Sequence, residues 1–94
     1  MAGQVIQSGS YENLSASANC ASRPAALIGI FVASASSTPT LAVYDSATTT
    51  TATIIVNTFT PIAGSFYPIP AQANSGIYVV ISGTVDCTVF TVAN

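Results

Sequence analysis

Charge is almost missing from this sequence: only Glu12, Arg23, Asp45 and Asp86 carry any, and Lys, His and Trp do not occur. Without His or Lys, no ordinary base stands ready to activate a Ser, Thr or Cys nucleophile, which removes the commonest hydrolase arrangements. The three carboxylates lie in separate segments with no Asp-x-Asp spacing, so neither an acid–base pair nor a calcium loop is signalled. A single Arg against a net charge of −2 excludes the usual electrostatic route to nucleic acid and to anionic membrane surfaces. Two cysteines, Cys20 and Cys87, cannot complete a structural zinc site within one chain, since such a site takes four ligands. The six glycines are scattered singly, so no phosphate-cradling loop is present. The chain is therefore read as a non-enzyme with no catalytic residue, no metal, no cofactor, and neither nucleic acid nor membrane among its partners.

Long hydrophobic runs are also missing, although the mean hydropathy is +0.62. The longest apolar window, Ala25 to Ala35, is interrupted at Ser34 and followed by Ser36, Ser37, Thr38 and Pro39, well short of the roughly 20 residues of a spanning helix. A transmembrane barrel of eight strands, each of about 9 to 11 residues, would leave almost nothing for turns. The opening MAGQVIQSGSYENL lacks the basic end and apolar run of a secretory signal, so synthesis in the cytoplasm is expected. In that compartment Cys20 and Cys87 read as small reduced hydrophobes; a bond between them needs neighbouring strands.

What is abundant is hydroxyl and β-branched side chains. The 12 Ser and 12 Thr wet a strand's outer face without the repulsion that charge supplies, a surface that favours association. Short apolar segments rich in Val, Ile and aromatics alternate with turn signals about every 8 to 12 residues, and no segment holds a helical apolar spacing. The expected elements are a strand near Gln4 to Gln7, a turn at Ser8 and Gly9, a polar strand from Tyr11 to about Cys20, and a hydrophobic strand from Ala25 to Ala33 closed by SASSTP. Further strands follow at Thr40 to Tyr44, Thr53 to Phe59, and Ser65 to Ile69, the last confined to a sheet edge by Pro68 and Pro70. The stretch GIYVVISGTVDCTVF predicts a hairpin turning at Ser82 and Gly83. About eight short strands in residues 1–94 predict one all-β domain, an antiparallel β-sandwich of jelly-roll type, with residues 1–9 as a candidate extended arm.

The predicted hairpin is apolar on both faces. With a two-residue loop, Tyr78, Val80, Val85, Cys87 and Val89 share the core face and leave Ile77, Val79, Ile81 and Phe90 on the other. A three-residue loop regroups these residues but still leaves apolar side chains on both sides. A sheet apolar on both faces requires cover from another copy or another protein. Val5, Ile77, Val79, Ile81 and Phe90 are accordingly the candidate assembly-interface residues. Ile54 to Phe59 and Tyr78 to Ile81, uncharged and strongly β-forming, point the same way, since exposed edges of this kind aggregate.

The run AGSFYPIPAQANSGIYVVISGTVDCTVF, with the preceding LIGIFVASAS and LAVYDSAT segments, resembles small structural proteins of tailed bacteriophages over roughly Leu27 to Phe90. The nearest functional class is the capsid decoration, or cement, protein, many of which are jelly-roll or related β-sandwich trimers. The resemblance implies a virion component, a homotrimer on the outer capsid surface that staples neighbouring major capsid protein subunits; it supplies no site residue. Residues Ala2 to Gln7 are expected to reach a capsid subunit or a sibling by strand addition. Two alternatives belong to other classes. One is a tail or head-fibre module that recognises a host glycan through Tyr44, Phe66, Tyr67 and Tyr78; the other is a secreted binding module stapled by a Cys20–Cys87 disulfide.

Overall fold

Period-two alternation carries through the chain as six strands, with no helix among the residues described, 10–93, of this computed structural model. They are β1 (Ser10–Leu14), β2 (Ala18–Ala21), β3 (Ala25–Asp45), β4 (Ile54–Phe59), β5 (Ser65–Ala73) and β6 (Ile77–Ala93). The all-β expectation holds. The expected strand at Gln4 to Gln7, the turn at Ser8 and Gly9, and Val5 lie outside the described residues.

Two long strands organise everything else. β3 and β6 pair antiparallel from Ala25↔Ala93 to Asp45↔Ile77, and the register slips between Ser36 and Thr40, where the pair bends. Gly83 takes φ +84° on β6, and Thr38 takes φ 49° on β3. A Cβ on Gly83 would stand 2.7 Å from the Cα of the buried Pro39. Glycine is needed here twice over, for the left-handed backbone and for the close approach of the two strands.

This corrects the expected hairpin at Ser82 and Gly83. Residues on both sides of the glycine pair with β3 and not with each other, so β6 bends and continues. The SASSTP stretch, likewise, is the bend of β3 and not its end. The polar strand expected from Tyr11 to Cys20 is broken into β1 and β2, while β5 runs on to Ala73.

Short strands then add to each half of the bent pair. On one half the order is β1–β6–β3–β5, with Leu14↔Cys87, Val32↔Cys87 and Val32↔Ser65 making one row. On the other half it is β2–β6–β3–β4, with Ala18↔Val79, Val43↔Val79 and Val43↔Val56 in another. The two packed sheets expected from the sequence are thus halves of one curled sheet. β5 lies at an edge, as Pro68 and Pro70 require, since neither offers a donor to a further strand.

The inner sides of both halves contribute to one apolar cluster: Leu27, Ile30 and Val32 of β3 meet Leu41 and Val43 beyond the bend, with Ile77, Val79, Val85, Cys87 and Val89 of β6. Full burial of each such side chain stabilises by roughly 1.5–3 kcal/mol. Ile77 and Val79 are 0% exposed and Ile81 is half-buried against this cluster. Three of the five candidate interface residues are therefore core residues, because the unbroken strand keeps residues 77, 79, 81, 85, 87 and 89 on the same side. Of the four that are described, Phe90 alone stands on the outer side.

Candidate functional site

The outer side of the β1–β6–β3–β5 half carries an unusual set of residues. One cross-strand row reads Tyr11, Phe90, Gly29, Pro68, and the next reads Asn13, Thr88, Phe31, Phe66. Ile28 joins them from the bulge where the register slips between Leu27 and Gly29. Exposure is 75% for Tyr11, 48% for Phe66, 40% for Ile28 and 38% for Phe31.

Gly29 shapes this face. A Cβ there would fall 2.6 Å from the Phe66 ring and 2.7 Å from the Tyr67 carbonyl, so the missing side chain lets Phe66 lie across β3. The ring then meets Phe90 edge-on, with centroids 6.3 Å apart and planes at 66°, an arrangement aromatic pairs favour. Four strands thereby share one aromatic surface. Its charge sits at one end, toward the bend, where the Asn13 amide donates to Asp86 at 3.1 Å, to the Cys87 carbonyl at 3.1 Å and to Thr88 Oγ1 at 3.3 Å.

The outer side of the other half is more mixed. Its row reads Asn19, Tyr78, Tyr44, Ile54, and the two half-buried tyrosine rings lie 6.4 Å apart. The Asn19 amide ties this row to the following loop by donating to the carbonyls of Ser46 and Thr48 at 3.0 and 2.8 Å. A cleft of about 240 Å³ opens on the flank between β4 and β5, lined by Val56, Asn57, Phe59, Tyr67, Pro68 and Ile69. Phe59 and Tyr67 meet edge-on there at 5.0 Å, and the Tyr67 hydroxyl accepts the Ile62 N–H at 2.9 Å. The four aromatics proposed as a glycan platform are thus divided: Phe66 on the first face, Tyr44 and Tyr78 on the second, Tyr67 in the cleft.

Asp45 and the two thiols serve the fold. Asp45 accepts three backbone N–H bonds, from Asn74 at 2.9 Å, Ser75 at 2.7 Å and Gly76 at 3.3 Å. Led by the Asn74 bond, these hold its carboxyl below the usual value despite partial desolvation. Cys20 and Cys87 are both free. Burial, aided by the negative charge of Glu12 and by Cys87, pushes the Cys20 thiol up to about 12; burial and Asp86 push Cys87 to about 11. Cys87 stands between Leu14 and Val32, whereas β2 pairs with the other end of β6, so the two cysteines are not cross-strand neighbours. The arrangement gives the disulfide-stapled alternative no support. Among the described residues no group of three His, Cys, Asp or Glu is placed to hold a metal ion.

Sequence reasoning reached Phe90 but missed Tyr11, Ile28, Phe31 and Phe66 as members of one surface. The available signal was that SFYPIP and LIGIF carry large apolar residues on both parities, Phe66 beside Tyr67 and Ile30 beside Phe31. Comparison with protein families, with curated proteins and with solved structures finds no match to the chain.

Proposed function

We propose that this chain is a virion structural protein of the capsid decoration type, an oligomer, expected to be a homotrimer, that binds the outer surface of a phage capsid and staples neighbouring major capsid subunits. One observation carries the reading: the broad aromatic face of the β1–β6–β3–β5 half, on a chain with only four charged side chains. A contiguous apolar face of this kind is often an interaction site. The strand order supports it further, because β1–β6–β3–β5 and β2–β6–β3–β4, joined through two shared long strands, follow the order of a jelly roll, the architecture of many capsid-associated domains.

Mechanistically, many modest apolar and backbone contacts repeated by capsid symmetry would resist internal pressure without any strong single interaction. The test is co-sedimentation of the purified protein with capsids that lack it, with occupancy read by cryo-electron microscopy. Saturable binding at symmetry-related positions is the expected result. A folded protein that leaves capsids bare at all concentrations overturns the reading.

A further inference from the structure

We infer that the aromatic outer face of the β1–β6–β3–β5 half is the surface by which one copy of this chain binds a second copy within the proposed oligomer. The inference rests on the decoration reading above only for its biological setting; the contact itself is argued from area and charge.

The exposed fractions of Tyr11, Ile28, Phe31 and Phe66 together equal about two whole side chains, or roughly 400 Å² of apolar surface at about 200 Å² for each large side chain. Pro68, exposed, and Phe90, half-buried, extend the patch. A stable interface of standard size covers about 800 Å² per partner, of which about 60% is apolar, so its apolar share is of the same size as this patch. The face thus supplies about the apolar share of one partner's side of a standard interface.

Charge selects the partner. Among the described residues of these four strands the one charged side chain on the outer side is Asp86, at its end and already engaged by Asn13; Arg23 lies exposed between β2 and β3. Glu12 belongs to the inward row with Val89 and Ile30, and Asp45 lies in the other half. A partner that identified this chain by charge would find almost nothing to read. A second copy brings an equally charge-poor surface and meets no like-charge repulsion across the contact, whether the two faces meet about a two-fold axis or the face packs head to tail around a three-fold one.

The experiment measures the solution mass of the full chain by sedimentation velocity, in the absence of capsids, for the wild type and four single variants. Tyr11→Glu and Phe66→Glu place a charge in the face. Ile54→Glu and Ile62→Glu place the same charge at positions 50% and 66% exposed outside it. A discrete dimer or trimer is expected for the wild type, with dissociation at least about tenfold weaker for both face variants and unchanged for both controls. Circular dichroism confirms folding; Tyr11, at a 75% exposed edge position, keeps the test valid even where Phe66→Glu unfolds. A wild type that stays monomeric up to about 100 µM, or one that the controls dissociate and the face variants do not, overturns the inference. A monomer that still binds capsids overturns this inference while leaving the decoration reading standing; an oligomer that ignores capsids does the reverse.

Discussion

Replacing Asp45 tests how the ends of the long strands are fastened. Its carboxylate gathers the N–H groups of Asn74, Ser75 and Gly76, while its own N–H donates to the Thr53 carbonyl at 2.8 Å. One residue therefore joins the loops on both sides of the β3 end. Hydrogen bonds to a charged acceptor contribute about 1.5–3 kcal/mol when well shielded. This carboxylate is only partly buried, and the N–H groups of exposed Asn74 and Ser75 regain water on its removal. Gly76 is buried, and its N–H does not. Asp45→Ala is expected to cost about 2 kcal/mol in all, or a fall in Tm of about 10 °C for a domain of this size. Asp45→Asn keeps one acceptor and is expected to lose about half as much. Because folding lowers this pKa below its ordinary value of 3.8, the stabilisation is present above that value and fades as pH falls through the native one. Thermal unfolding of wild type and Asp45→Ala at equal concentration, at pH 7 and at about pH 2, checks both parts. A Tm difference under about 2 °C at pH 7, or one that persists undiminished at low pH, refutes the reasoning.

Gly83→Ala is expected to lower stability by at least about 2 kcal/mol, from a left-handed backbone and a Cβ against Pro39. Gly64→Ala, with φ +80° but nothing within 4 Å of its Cβ, is expected to cost about half that; denaturant midpoints with unchanged slopes check the pair. Ile77→Ala is expected to cost about 2–5 kcal/mol as a core truncation, a loss that persists at protein concentrations where the chain is dissociated, unlike that of an interface residue. Because burial keeps both thiols protonated and covers Cys87 completely, both are expected to react with a disulfide reagent at pH 8 far more slowly than an ordinary exposed thiol, Cys87 the slower of the two. Absorbance on mixing checks this, and full labelling within seconds in the native state would contradict it.

Much of the fold was legible because strands announce themselves locally. The β-branched runs, the turn residues between them, and the edge position of β5 with its two prolines all follow from chemistry within a few residues. The bend was not. Gly83 in an SG pair carries the same signal whether the strand turns back or continues, and what decides is that β3 bends opposite it at Thr38 and Pro39, more than 40 residues away in sequence. Non-local pairing of this kind leaves no local trace, and so two long strands were read as four short ones.

That single misreading also explains the mistaken interface residues. Along β6 both parities are apolar: Ile77, Val79, Ile81, Val85, Cys87 and Val89 on one, Tyr78, Val80, Phe90 and Val92 on the other. Inferring a hairpin inverted the inner and outer sides for residues 77 to 81, since moving one residue along a strand exchanges its faces. The argument that both faces are apolar nevertheless survives the correction, because it depends on composition and not on register. What pairing adds is the division of the outer set. Tyr78 and Val80 are half-buried within their own half, beside Tyr44 and Ala42, whereas Phe90 extends into the more exposed Tyr11, Phe31 and Phe66. The need for external cover, first inferred for the whole strand, therefore falls chiefly on one half of the curled sheet. A chain with so few charges keeps that need at every pH, because there is little on the face for protonation to change.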